Sequence, residues 1–196
     1  MFVQIIEGRT TDPGALRDHG EQWQVDVGPS AVGYLGVTSG TTADGRTITL
    51  ARFEDEASAR ANSELPQQQA WWEGMAKLYD GDVTFTESSD VTELLGGGSD
   101  QAGFVQVMRS TGVDRAEVER LDDEMGRFAA QRPDIIGGYR VWTGPDSCVE
   151  AIYFTSEAEA RKGEQSPMPE ELQALMESAN SQGEIEFLDL TDPMLH

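Results

Sequence analysis

The chain is written twice. FVQIIEG at Phe2–Gly8 returns as FVQVMRS at Phe104–Ser110, and FEDEASAR at Phe53–Arg60 returns as FTSEAEAR at Phe154–Arg161. GDVTF at Gly81–Phe85 returns as GEIEF at Gly183–Phe187, and VGYLGV from Val32 pairs with IGGYRV from Ile136. The order is kept and the offset stays between 101 and 104 residues. Between the copies lies LLGGGSDQAG at Leu94–Gly103, a glycine-rich connector. The expected organisation is therefore repeat 1 over 1–93, a linker over 94–102 and repeat 2 over 103–196.

Each copy reads β-α-β-β-α-β, the ferredoxin-like order. In repeat 1, Phe2–Glu7 alternates and is rich in β-formers. Asp12 followed by Pro13 marks a helix start, and that helix stops before Gly28-Pro29. Val32–Ser39 and Arg46–Phe53 flank the turn Ala43-Asp44-Gly45, a hairpin signal. Asp55–Ser63 gives a helical turn or two, Pro66–Tyr79 a helix and Asp82–Glu87 the last strand. Repeat 2 follows the same scheme, with its first helix from Asp114 and its last strand over Glu184–Leu188. In Phe2-Val3-Gln4-Ile5-Ile6 both faces carry apolar side chains, so each sheet needs cover on both sides. The fold class expected is α+β, with two tandem repeats packed sheet to sheet as an intrachain pseudo-dimeric α+β barrel.

The 36 acidic residues against 14 basic ones give a net charge of −22. A surface of that sign repels nucleic acid and anionic lipid, and no basic stripe offsets it. No apolar run reaches the length of a membrane span, and MFVQIIEGR lacks the basic start of a signal peptide. The single cysteine, Cys148, lies in a strand and reads as a buried, inert thiol. With no intrachain disulfide possible, the expectation is a cytoplasmic protein, monomeric as a pseudo-dimer or homodimeric.

FEDEASARAN after the third strand, followed by the aromatic helix PQQQAWWEGM, resembles the antibiotic biosynthesis monooxygenase-like group of dimeric α+β barrel proteins. The resemblance covers nearly the whole chain. It implies a small apolar or aromatic ligand held between helices and sheet. It also implies an oxygenase that needs no cofactor, in which the anion of an electron-rich aromatic or polyketide-like substrate itself reduces O2. Asn62, Arg52 and one of Trp71 and Trp72 correspond by position to the substrate-holding residues of such enzymes. The haem-degrading branch has a histidine on its second helix that this chain lacks. A non-catalytic binding or stress-related module is the alternative.

The duplication also serves as an internal control. The stripe Val118, Leu121, Met125, Phe128 in repeat 2 aligns with Leu16, His19, Trp23 and Asp26/Val27 in repeat 1. His19 therefore stands where Leu121 stands and is expected to point toward the sheet, either as a satisfied core imidazole or as a base at a pocket wall. One histidine without a second ligand at metal spacing is no metal site. Arg52 aligns with Tyr153 and shares a strand face with Ile48 and Leu50. It either snorkels outward or holds a carboxylate or bound anion. The candidate site is thus His19, Arg52 and Asn62 as catalytic residues, with Trp23, Tyr34, Trp71, Trp72 and Tyr79 as its walls. Trp71 aligns with Leu172 and Trp72 with Gln173, although a one-residue slip would exchange their roles. The acidic runs Glu54–Glu56, Asp122–Glu124 and Glu170-Glu171 read as solvated helix faces. Gly96–Gly98 lacks the lysine of a phosphate-binding loop, and His196 is expected to be mobile.

Overall fold

A computed structural model describes residues 1–129, 132–167, 169–179 and 183–196. Repeat 1 contains β1 (Phe2–Arg9), α1 (Pro13–Asp26), β2 (Tyr34–Thr41), β3 (Arg46–Phe53), α2 (Glu56–Glu64), α3 (Pro66–Met75) and β4 (Thr84–Ser88). β5 (Val91–Leu94) follows. Repeat 2 contains β6 (Phe104–Thr111), α4 (Arg115–Ala129), β7 (Ile135–Gly144), β8 (Ser147–Phe154), α5 (Glu157–Glu164), α6 (Glu170–Ala179), β9 (Glu184–Leu190) and β10 (Met194–Leu195). Two five-stranded antiparallel sheets result, ordered β10-β2-β3-β1-β4 and β5-β7-β8-β6-β9. The α+β ferredoxin-like order read from the repeats is the one observed.

Local chemistry sets the element ends. The Asp12 carboxylate accepts from the Ala15 amide 3.0 Å away, and Pro13 opens α1, where an amide hydrogen has no partner. Asp55 caps α2 through the Ser58 amide at 2.8 Å. The β2–β3 turn needs Gly45 at φ +81°, and its Cβ would lie 2.6 Å from the Thr10 carbonyl.

The chain forms two compact units, of which the first is discontinuous. Unit 1 is Met1–Ser89 with Asp192–His196, and unit 2 is Asp90–Thr191. The closing strands β5 and β10 are short, and no period-two apolar pattern announces them. His196 is not mobile as expected. It exchanges backbone hydrogen bonds with Val37 at 2.7 and 3.1 Å, and its ring meets Glu21 at 2.8 Å.

In unit 1, Ala59 of α2 packs on Phe2 and Phe53, which defines the helix side of the sheet. Alternation then places Gln4, Ile6, Ala51 and Phe85 on the helix side. Val3, Ile5, Ile48, Leu50 and Arg52 share the other face, and all five are buried. Buried side chains thus occupy both faces of this sheet. In unit 2 the helix side holds Val118, Leu121, Phe128, Trp142, Cys148 and Leu172. Among the described residues no helix is long and apolar enough to cross a membrane.

Candidate functional site

α1 buries Leu16, Gly20, Trp23 and, at its end, Val27. That stripe runs i, i+4, i+7, i+11, so Gly20 and not His19 takes its centre. His19 lies on the flank and faces α3 instead of pointing toward the sheet. Its Nε2 donates to the Trp71 carbonyl at 2.9 Å, and Trp71 Nε1 donates back to the His19 carbonyl at 2.8 Å. The two rings stack with centroids 5.3 Å apart and planes 14° from parallel. Gly74 makes room for them, because a Cβ there would lie 2.7 Å from His19 Cε1. The difference between His19 and Leu121 is therefore a reciprocal clasp between two helices, where repeat 2 uses apolar packing.

Trp23 is buried among Val27, Ala31, Tyr34, Leu65 and Trp71. Its Nε1 donates to Gln68 at 2.6 Å, and its ring lies 4.5 Å from that of Tyr34. Gln24 donates to the Tyr34 hydroxyl at 3.0 Å. Trp71 leads to Trp72 (6.1 Å between centroids), and Trp72 meets Phe85 edge-on at 5.2 Å and Tyr79 at 6.2 Å. Phe85 is 54% exposed, so this end of the aromatic row is open. Burial pushes the Tyr79 phenol above its ordinary pKa, with the nearby Thr47 hydroxyl working the other way. Seven of the eight expected residues thus lie on the helix side of unit 1.

Arg52 is the exception. It lies on the opposite face of the sheet, where it donates to Thr38 Oγ1 at 2.9 Å and to the His196 carbonyl at 3.2 Å. It does not snorkel outward, because only 7% of it is exposed. A β-sheet separates it from Asn62, so the two do not grip one anion together. The alternation that pairs Arg52 with Ile48 and Leu50 was the signal for this, since the helix-side residues of β3 are Ala51 and Phe53.

Asn62 is 6% exposed, and its Oδ1 has no hydrogen-bond partner among the described residues. It lies one turn beyond Ala59 on the inner face of α2. Its counterpart in repeat 2 is Gly163, against which the Arg132 guanidinium is laid, 2.2 Å from where a Cβ would stand. Arg132 is itself paired with Asp134 at 2.7 Å. Repeat 2 fills this position with a neutralised cation, while repeat 1 leaves a buried acceptor open.

Two groups escape the sequence reading. Asp122 is not on a solvated face. Together with Glu150 it grips Arg140, at 2.8 and 2.7 Å, against α4 and the helix side of the second sheet. Burial opposes the charge on Arg140, but Glu150 and Asp122 outweigh it and raise its pKa. By strand register, which shifts β2 three residues from the sequence match of VGYLGV with IGGYRV, the repeat 1 counterparts are Ser39 and Thr49, hydroxyl to hydroxyl at 2.6 Å, and Gly20 of α1. Cys148 lies beside this cluster, and burial above all pushes its thiol up to about 12. The second group is Glu87, which accepts from Gln4 at 2.8 Å on the helix side of β4 and β1. Its legible signal was the match of Gln4 to Gln106 and of Glu87 to Asp189.

No protein-family model matches the chain, and a search of curated proteins returns no significant match. Solved structures do match over its whole length. A proposed monooxygenase from Lactobacillus acidophilus is 13% identical with a TM-score of 0.73, over 100% of this chain and 98% of that one. A proposed monooxygenase from Fusobacterium nucleatum is 8% identical with a TM-score of 0.75, over 98% and 93%. An anthrone oxidase-like protein is 10% identical with a TM-score of 0.63, over 99% and 92%. At such identities the likeness speaks for fold, and function must be argued from the site. The chain therefore has the ferredoxin-like fold of these monooxygenase-like proteins.

Proposed function

We propose that repeat 1 holds a small aromatic molecule on the helix side of its sheet, and that the protein is an oxygenase of electron-rich aromatic substrates. The observation that carries this is the buried Asn62 Oδ1 without a partner. An unpaired buried acceptor costs on the order of 1–3 kcal/mol and is retained where something else supplies the donor. The open end of the aromatic row, Trp72 with Phe85 and Tyr79, offers ring faces and edges on the same side of the sheet. The full-length likeness to proposed monooxygenases and to an anthrone oxidase-like protein supports the reaction class.

For an anthrone the reaction balances without another reductant. The ring CH2 loses a proton, the carbanion passes an electron to O2, and recombination gives a hydroperoxide. Loss of water leaves the quinone carbonyl, so one anthrone and one O2 become one anthraquinone and one H2O. In this proposal Asn62 orients the substrate by accepting from its hydroxyl, and Trp72, Phe85 and Tyr79 clamp the ring. His19 and Trp71 hold α1 to α3, and Arg52 belongs to the sheet's other face. The test is oxygen uptake with 1,8-dihydroxyanthrone, alongside equilibrium dialysis of the same compound, for the wild type and Asn62→Leu. Uptake that falls at least ~10-fold in the variant, with folding intact, is the expected result. Equal uptake and equal binding in the two proteins would refute the site.

A second reading is a binding module without turnover. Its supporting observation is that the His19 imidazole, the obvious base, has its Nε2 engaged by Trp71 and its ring stacked. Binding that depends on Asn62 with no oxygen uptake would select this reading.

A further inference from the structure

Three residues of α3 meet α1. Trp71 exchanges hydrogen bonds with His19, at 2.9 Å from the imidazole to the Trp71 carbonyl and 2.8 Å from the indole to the His19 carbonyl. A Cβ at Gly74 would stand 2.7 Å from His19 Cε1, and a Cβ at Gly20 would stand 3.9 Å from Met75 Cε. Trp71, Gly74 and Met75 are spaced i, i+3 and i+4, so they share one face of α3, and that face is turned to α1. Trp72 lies about 100° further round the helix. It is turned to the edge strand β4, where its ring meets Phe85 at 5.2 Å and lies 6.2 Å from that of Tyr79.

The grip on Trp71 therefore bears on its neighbour. The carbonyl that receives the His19 proton belongs to the peptide unit joining Trp71 to Trp72. That unit is planar, so holding its oxygen also holds the nitrogen from which Trp72 springs. The stack of His19 on Trp71, with planes 14° from parallel, opposes a turn of α3 about its own axis. Apolar contact of the kind made by Leu121, Met125, Leu172 and Met176 in repeat 2 carries no such direction, whereas hydrogen bonds do. A turn of about 10° would move a ring roughly 6 Å from the helix axis by about 1 Å. Displacements of that size are enough to spoil a binding or reacting geometry.

We propose that His19 is a positioning residue for the ligand site of repeat 1. Through the Trp71–Trp72 peptide it sets the direction of the Trp72 ring, and thereby the affinity for aromatic ligands that lie against Trp72 and Phe85. The inference rests on the functional reading above. It gives His19 no contact with the ligand and no proton to move. It also accounts for the joint presence of His19, Trp71 and Gly74 in one repeat, since the glycine admits the ring and the ring holds the peptide.

The test compares wild type, His19→Leu and His19→Gln. Leucine copies Leu121 of repeat 2, and glutamine sets an amide N–H donor where the imidazole Nε2 stood. Affinity for 1,8-dihydroxyanthrone is read by equilibrium dialysis under argon, and oxygen uptake at saturating substrate is followed across pH. Urea titration shows that each variant is folded. His19→Leu weakens binding at least ~10-fold, about 1.4 kcal/mol, His19→Gln stays within ~3-fold of wild type, and the pH profile of uptake keeps its shape in both. Where the wild type binds without turnover, affinity alone decides. His19→Leu binding as tightly as wild type, or both variants weakened equally, overturns positioning through this hydrogen bond and leaves the site, which Asn62→Leu tests separately. Lost turnover at unchanged affinity makes His19 a base and overturns the inference as well. Absence of binding to the wild type overturns the site and this inference together.

Discussion

The helix clasp of repeat 1 makes the effect of one methyl group depend on a ring on another helix. Gly74 lies in α3, where alanine would ordinarily add up to ~1 kcal/mol of stability. Its added Cβ would, however, stand 2.7 and 2.8 Å from His19 Cε1 and Nε2, and the three nearest atoms all belong to His19. The ring cannot yield cheaply, because Nε2 donates to the Trp71 carbonyl and the face stacks on the Trp71 indole. Displacement forfeits a hydrogen bond of ~1 kcal/mol and an aromatic contact of similar size, about 2 kcal/mol together. Gly74→Ala in the wild type should therefore destabilise by ~1 kcal/mol, the difference of these terms. In a His19→Ala background the obstruction is gone, and the same substitution should stabilise. The coupling in the double-mutant cycle is about 2 kcal/mol. Urea titration followed by tryptophan fluorescence reads it directly, since Trp23, Trp71 and Trp72 all belong to unit 1. An effect of Gly74→Ala with the same sign and size in both backgrounds would refute the clasp.

The remaining expectations concern buried polar groups. Asn62→Leu removes an unpartnered buried oxygen, so urea midpoints should show equal or higher stability even as ligand binding is lost. Arg140→Ala strands Glu150 and Asp122 and should cost about 3 kcal/mol in the same assay. Replacing all three by the repeat 1 residues (Arg140→Ser, Glu150→Thr and Asp122→Gly) should recover part of that loss. Cys148 should resist alkylation in the folded protein. Its folded pKa is raised, so its contribution to stability is fully present below the free-thiol value of ~8.5 and falls as pH rises toward about 12. A Cys148→Ala protein should lack that component of the alkaline slope in urea midpoints.

Much of the fold was legible because the duplication let weak local signals confirm each other. The Asp12 and Asp55 caps, the Ala43–Gly45 turn and the alternation in Phe2–Ile6 each rest on neighbours close in sequence. The site was legible in composition but less so in direction. His19 was read as inward because the Leu121 stripe was transferred to α1 unchanged. Gly20 shifts the buried line by one residue, and only the approach of α3 decides where His19 turns. Arg52 was grouped with Asn62 although its own alternation set them on opposite faces. Glu87 and Asp122 were hidden for another reason. An acidic residue on an edge strand or helix looks solvated until its cross-strand or cross-helix partner is known, and those partners lie 83 and 18 residues away.

The edge strands carry a consequence for how the protein is made. Unit 1 is bordered by β10, which comes from residues 194–195, while most of that unit has been synthesised by residue 89. On the ribosome, β2 therefore waits for roughly half of the polypeptide with one edge unpaired, an edge able to recruit a strand from another nascent chain. Unit 2 faces no such delay, since β5 precedes every other strand of its sheet. A nonsense codon at Asp192 would leave unit 2 whole and strip unit 1 of its edge strand, so the first unit to emerge is the last to be completed.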